Sequence, residues 1–157
     1  MLETTHALVA GAIVTHTKNP ATAIVLTFLS HFIMDAIPHW DFGTNWRERR
    51  KLVTGLIAIG DVIVGFIAGY VFFGQFVSLP LLFTVIAVSM LPDWIEAPWY
   101  IFYANHTKKM PAKNAGFLEK LAYGIYKTEN AFHRKTNFSV GMITQIVTVG
   151  FFLFLLK

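Results

Sequence analysis

Residues 52–74 read LVTGLIAIGDVIVGFIAGYVFFG, an apolar run whose single ionisable side chain is Asp61. About 20 largely apolar residues let a helix cross the hydrocarbon of a bilayer, so this stretch predicts a spanning helix with an acid inside it. Its neighbours extend the reading. LPLLFTVIAVSMLPDWIEAPWYIFY (79–103) is equally long but interrupted by Pro92, Asp93, Glu96 and Pro98, and a kink is expected near Pro92, which has no N–H to give the helix. SVGMITQIVTVGFFLFLLK (139–157) is a plain terminal span. PATAIVLTFLSHFIMDAIPHW (20–40) is a span with a polar lower end, and TTHALVAGAIVTHTK (4–18) is short enough to be a thin span or a half-helix. The predicted fold is an all-α integral membrane bundle over residues 1–157, with about five transmembrane helices at about 4–17, 20–37, 52–74, 79–103 and 139–156.

Composition agrees. The chain is 55% hydrophobic and only 14% charged, with a mean hydropathy of +0.54, where a soluble domain carries about 25% charged residues. The net charge of +4 does not point to nucleic acid, because the basic residues lie in the gaps between apolar runs. Membrane lipids are the expected surroundings, and a homo-oligomer is left open. Arg47, Arg49, Arg50 and Lys51, then seven Lys and Arg residues between 104 and 138, fall on one side if five spans alternate. The positive-inside rule makes that side cytoplasmic, which predicts an inner (cytoplasmic) membrane protein with its N-terminus in the cytoplasm. Phe117, Leu118, Leu121, Ala122, Ile125 and Tyr126 repeat at helical spacing opposite basic residues, predicting an amphipathic interfacial segment at about 115–133. The absence of cysteine excludes disulfides and thiolate ligands. The start, MLETTHALVAG, lacks the basic region of a cleaved signal peptide.

The ionisable groups then fall mostly on one side of the membrane. LSHFIMDAIPHWD (29–41) holds His31, Asp35, His39 and Asp41. His31 and Asp35, four apart, share a helix face, and imidazole nitrogen with carboxylate oxygen suits zinc, iron or manganese. The bland alternative is a helix end at the interface, with His39 capping it and Trp40 in an aromatic belt. LPDWIEAPW (91–99) offers Asp93 as a ligand and Glu96 as ligand or general base; it also reads as a kinked helix with a hydrogen-bonded acid. His133 is a further candidate ligand, Arg134 a candidate phosphate contact, and His6 a histidine at a helix start. Asp61 reads as a ligand, a group orienting a ligating histidine, or a proton relay. His16 and His106 read as solvated.

Thr5, His6 and Gly11, the SHFIMDAIPHWD run, Leu91–Pro92–Asp93 and His133–Arg134 together resemble the membrane-bound metal-dependent hydrolase-like family, which is distantly similar to zinc-dependent phospholipase C. The resemblance implies a divalent metal, expected to be zinc, held by His6, His31, Asp35, Asp93 and His133, with His39 beside them. It implies hydrolysis of a lipid or lipid-linked phosphoester near the cytoplasmic interface, with Glu96 or Asp61 taking the proton and Arg134 on the phosphate. Two positions depart from the family pattern: Glu96 and Asn137 stand where it commonly has histidine. The rival readings are a small transporter or channel with an intramembrane Asp/His path, and a non-catalytic metal-binding scaffold.

Overall fold

The structure is a computed structural model and describes residues 1–105 and 107–155; His106, read above as solvated, and the end of the last predicted helix lie outside these residues. Among the described residues the chain is helical, without β-strands. The helices are α1 (Glu3–His16), α2 (Pro20–Asp35), α3 (Lys51–Phe73), α4 (Leu79–Pro98), α5 (Phe117–Asn130) and α6 (Phe138–Leu155). A short 3-10 turn (Trp46–Glu48) precedes α3, and a π-helical turn (Trp99–Tyr103) prolongs α4.

Among the described residues, three helices are long and apolar enough to cross a membrane: α3, α4 with its π-helical extension, and α6. The sequence led us to expect about five. α1 has 14 residues and α2 has 16, which is about 21 and 24 Å of helix against a hydrocarbon core of about 30 Å. α2 stops at Asp35 rather than near 37, because Pro38 disfavours helical geometry in the residue before it. α4 runs through Pro92 as a continuous helix.

α1 is the central helix. It buries Thr5, His6, Ala7, Val9, Ala10, Gly11, Ala12, Ile13 and Val14 and packs against α2, α3, α4 and α6. A helix apolar all round is one that is enclosed all round, and its small residues let neighbours approach. α3 answers with a stripe four residues apart: its buried residues are Asp61, Gly65, Gly69 and Phe73. A Cβ on Gly65 would come within 3.3 Å of the Ala7 side chain and 2.8 Å of Met90 Cε. The Phe73 ring lies against Gly11 where a Cβ would have to go. Small residues four apart are the usual means of close helix approach in lipid. The rest of α3 carries exposed Leu56, Ile59, Ile63, Ile67 and Val71, the side that an apolar solvent would cover.

This packing sets the level of the site. Glu3 sits at Asp61 and Gly11 at Phe73, so α1 runs parallel to the second half of α3. Asp61 is ten residues past the start of α3, about 15 Å along its axis. The first turn of α1, the last turn of α2 and the middle of α3 and α4 therefore meet at one level.

Candidate metal centre

Asp35, the last residue of α2, is wholly buried and is the hub of that level. Imidazole nitrogens approach its carboxylate from four sides: His6 Nε2 at 3.3 Å, His31 Nε2 at 3.3 Å, His133 Nε2 at 2.6 Å and His39 Nε2 at 3.9 Å. The Met1 α-amino group also contacts it. Asp93 Oδ1 lies 3.9 Å from His31 Nε2 and 3.6 Å from His133 Nε2, and Glu129 Oε1 lies 3.0 Å from His31 Nε2. His31, Asp35, Asp93, Glu129 and His133 each offer a donor atom within 4.8 Å of the others, and His39, Asp41 and His133 form a second such group.

Backbone contacts decide what these rings present. His31 Nδ1 is 2.7 Å from the Ser89 carbonyl of α4. A carbonyl only accepts, so Nδ1 carries the hydrogen. A neutral His31 then aims the Nε2 lone pair at Glu129, Asp35 and Asp93, all of them acceptors. His39 repeats the arrangement: Nδ1 donates to the Ile37 carbonyl at 2.8 Å, and Nε2 faces Asp41 Oδ2 at 3.4 Å. Lone pairs turned on carboxylate oxygens in a buried space require a proton or a cation between them. Among the described residues, His6 Nδ1 and His39 Nε2 are buried without a hydrogen-bond partner. A backbone carbonyl on Nδ1 with Nε2 turned to the centre is how ligating histidines are commonly oriented. The donor set fits a divalent metal of the zinc, iron or manganese kind.

The elements that deliver these groups can be named. His31 and Asp35 come from one face of α2. His6 comes from the first turns of α1, with its ring stacked on that of His31 at 4.4 Å between centroids. His133 is placed by main-chain pairing of two segments: Arg134 N–H donates to Asp35 O at 3.0 Å, His39 N–H to Arg134 O at 2.8 Å, and Thr136 N–H to His39 O at 2.8 Å. Asp41, in the loop after α2, accepts from Thr44 Oγ1 at 3.2 Å and from Lys135 Nζ at 3.3 Å. Burial opposes its charge, but the His39 imidazole and the Lys135 ammonium beside it prevail and hold the Asp41 carboxyl below the usual aspartate range.

The remaining candidates stand apart from the five-donor group. Asp61 closes the first turn of α1: Oδ2 accepts Glu3 N–H at 2.7 Å, and Oδ1 accepts Thr4 N–H at 3.2 Å and Thr4 Oγ1 at 2.6 Å. α1 has no side-chain cap of its own, so α3 supplies one. Glu96 is buried one turn beyond Asp93, and its Oε2 has no hydrogen-bond partner. The side chain of Arg134 is exposed. Asn137 caps α6, its Oδ1 accepting Val140 N–H at 3.0 Å.

Comparison of the chain with family profiles, with curated proteins and with solved structures gives no match.

Sequence reasoning did not single out Glu129. Glu129 and His133 are four apart, the spacing that drew attention to His31 and Asp35, but Glu129 sits in an amphipathic segment where an acid reads as solvated. Gln145, in the apolar run of α6, accepts from Leu2 N–H at 2.8 Å and Thr5 Oγ1 at 3.0 Å, and donates to Trp40 O at 2.9 Å. It ties the start of α1 and the loop after α2 to α6.

Proposed function

We propose that this chain is a metal-dependent membrane hydrolase, related to the family its motifs resemble, acting on a lipid or lipid-linked phosphoester. The observation that carries the proposal is the buried group of imidazole nitrogens and carboxylate oxygens, in which Nδ1 of His31 and of His39 meets a backbone carbonyl and Nε2 faces the carboxylates. Zinc is the metal proposed. His31, Asp35, Asp93, Glu129 and His133 would hold it, with His6, His39 and Asp41 beside them. When bound, such a metal lowers the pKa of a coordinated water and polarises a phosphoryl oxygen.

The chain's own groups supply the rest. Ser89 and Ile37 carbonyls fix the rings of His31 and His39. Asp61 and Gln145 hold the start of α1 and with it His6. Asp61, engaged by the first turn of α1, is poorly free to exchange a proton, so the base proposed is Glu96, whose buried Oε2 has no hydrogen-bond partner. Arg134, exposed beside His133, is the proposed phosphate contact. In this reading α1 and α2 are thin spans that bring the number to five. The basic loops, the N-terminus and the centre lie on the cytoplasmic side of the inner membrane.

Elemental analysis of the tag-free, detergent-purified protein tests this, with His31→Ala and Asp35→Ala alongside. One or more equivalents of zinc, lost in both variants, is the expected result, followed by zinc-dependent release of headgroup from phospholipid. Wild-type protein that takes up no transition metal from added zinc would sink the proposal.

A further inference from the structure

Glu129 reaches the centre from an unusual place. α5 buries only Ala122 and Glu129. Its other hold on the bundle is aromatic: Tyr123 and Tyr126 pack on Trp99 of the π-helical turn, with centroids 4.9 and 5.9 Å away. Beyond that contact the helix is open. Phe117 is 77%, Leu118 67% and Leu121 48% exposed, and Phe132, just before His133, is 44% exposed. At 100° per residue, Phe117 and Leu121 lie to one side of the Ala122–Glu129 line, whereas Lys120 and Lys127 lie nearly opposite it. Lys109, Lys113, Lys120 and Lys127 are all exposed. Lys108 is paired with Glu119 at 2.8 Å. Residues 107–138 contain no other acid than Glu119 and the buried Glu129.

An apolar flank beside a one-signed basic flank fits a surface that is apolar below and anionic above. We propose that α5 lies on the anionic phospholipid headgroups of the bilayer that holds α3, α4 and α6, and that this docking keeps Glu129 and His133 at the centre. The coupling to the centre rests on the metal-centre reading above; the docking does not. Charge complementarity selects the partner: Lys109, Lys113, Lys120 and Lys127 are exposed, and each lysine near an anionic surface contributes about fivefold to binding. Glu129 is delivered by α5, whose other hold on the bundle is the aromatic contact with Trp99, whereas the main-chain pairing of Arg134 and Thr136 also restrains His133. Loss of the lipid contact therefore loosens Glu129 first.

The chain has no cysteine, so Phe117→Cys can carry a single environment-sensitive fluorophore. Full-length protein goes into nanodiscs of phosphatidylcholine, with or without phosphatidylglycerol. The label is expected to be immersed in the anionic discs and water-exposed in the neutral ones. Zinc release to a chelator is expected to be at least about fivefold slower in the anionic discs. K109Q/K113Q/K120Q/K127Q, changed only at exposed positions, should remove both differences. A label equally exposed in both discs overturns the docking. An immersed label with equal zinc release overturns the coupling. If wild type holds no zinc in either disc, the metal-centre reading and the coupling fall together, and the label alone still decides the docking.

Discussion

Both halves of α1 are buried, and they are differently held. Toward its C-terminus, Ala10, Gly11 and Val14 meet Phe73, Leu82 and Ile86 through contacts that have no direction. Toward its N-terminus, Leu2, Glu3, Thr4 and Thr5 each spend a donor on a side chain of α3 or α6, and His6 enters the centre. At the first end, shape alone decides what fits. At the second, each polar group away from water needs an identified partner, so a change there breaks a pairing rather than opening a space.

The largest effect is expected at the polar end. Glu129→Ala or His133→Ala should weaken zinc binding by at least about 100-fold with helicity retained, read by competition with a chromophoric chelator and by circular dichroism. Metal binding that survives both changes would remove the basis for calling the two ends different. Next comes the apolar end. Gly11→Leu drives a side chain into the Phe73 ring and should lower stability by about 2 kcal/mol in a thermal melt in detergent, with zinc per folded molecule unchanged. Asp61→Ala sharpens the comparison because Asp61 lies on the boundary. Loss of the cap on Glu3 and Thr4 should destabilise the protein by about 1 kcal/mol, and Asp61→Asn should restore part of that. An Asp61→Ala protein with an unaltered melt and no hydrolysis would make Asp61 a proton carrier instead. Thr5→Val, which removes one of the bonds to Gln145, should be smaller, about 0.6 kcal/mol in the same melt, the mean for a hydrogen bond between membrane helices. Ile63→Leu, on the exposed face of α3, should stay within about 0.5 kcal/mol.

What the sequence made legible follows the same division. Helical class, three long apolar spans and the pairing of His31 with Asp35 could be read because each depends on spacing along one segment. The role of α1 could not. Its length suggested a thin span, yet its small residues place it at the centre of the bundle, a property of what surrounds it. Asp61 drew attention as an acid inside an apolar helix, and it is one of the few buried residues of α3. Its partners are the backbone donors of a helix 57–58 residues earlier, which no pattern local to Asp61 announces. Asn137 stood out as a missing histidine, and in the structure it caps α6.

The remote capping of α1 bears on how the protein is made. The polar partners of its first turn lie 58 residues on, at Asp61, and 143 residues on, at Gln145. A ribosome delivers α1 long before either. Until α3 and then α6 arrive, the nascent helix has open donors at one end and a face suited to neighbours not yet synthesised. Its packing is therefore a late event, completed when the later helices close around it, and truncation before α6 should leave Leu2 and Thr5 without their partner Gln145.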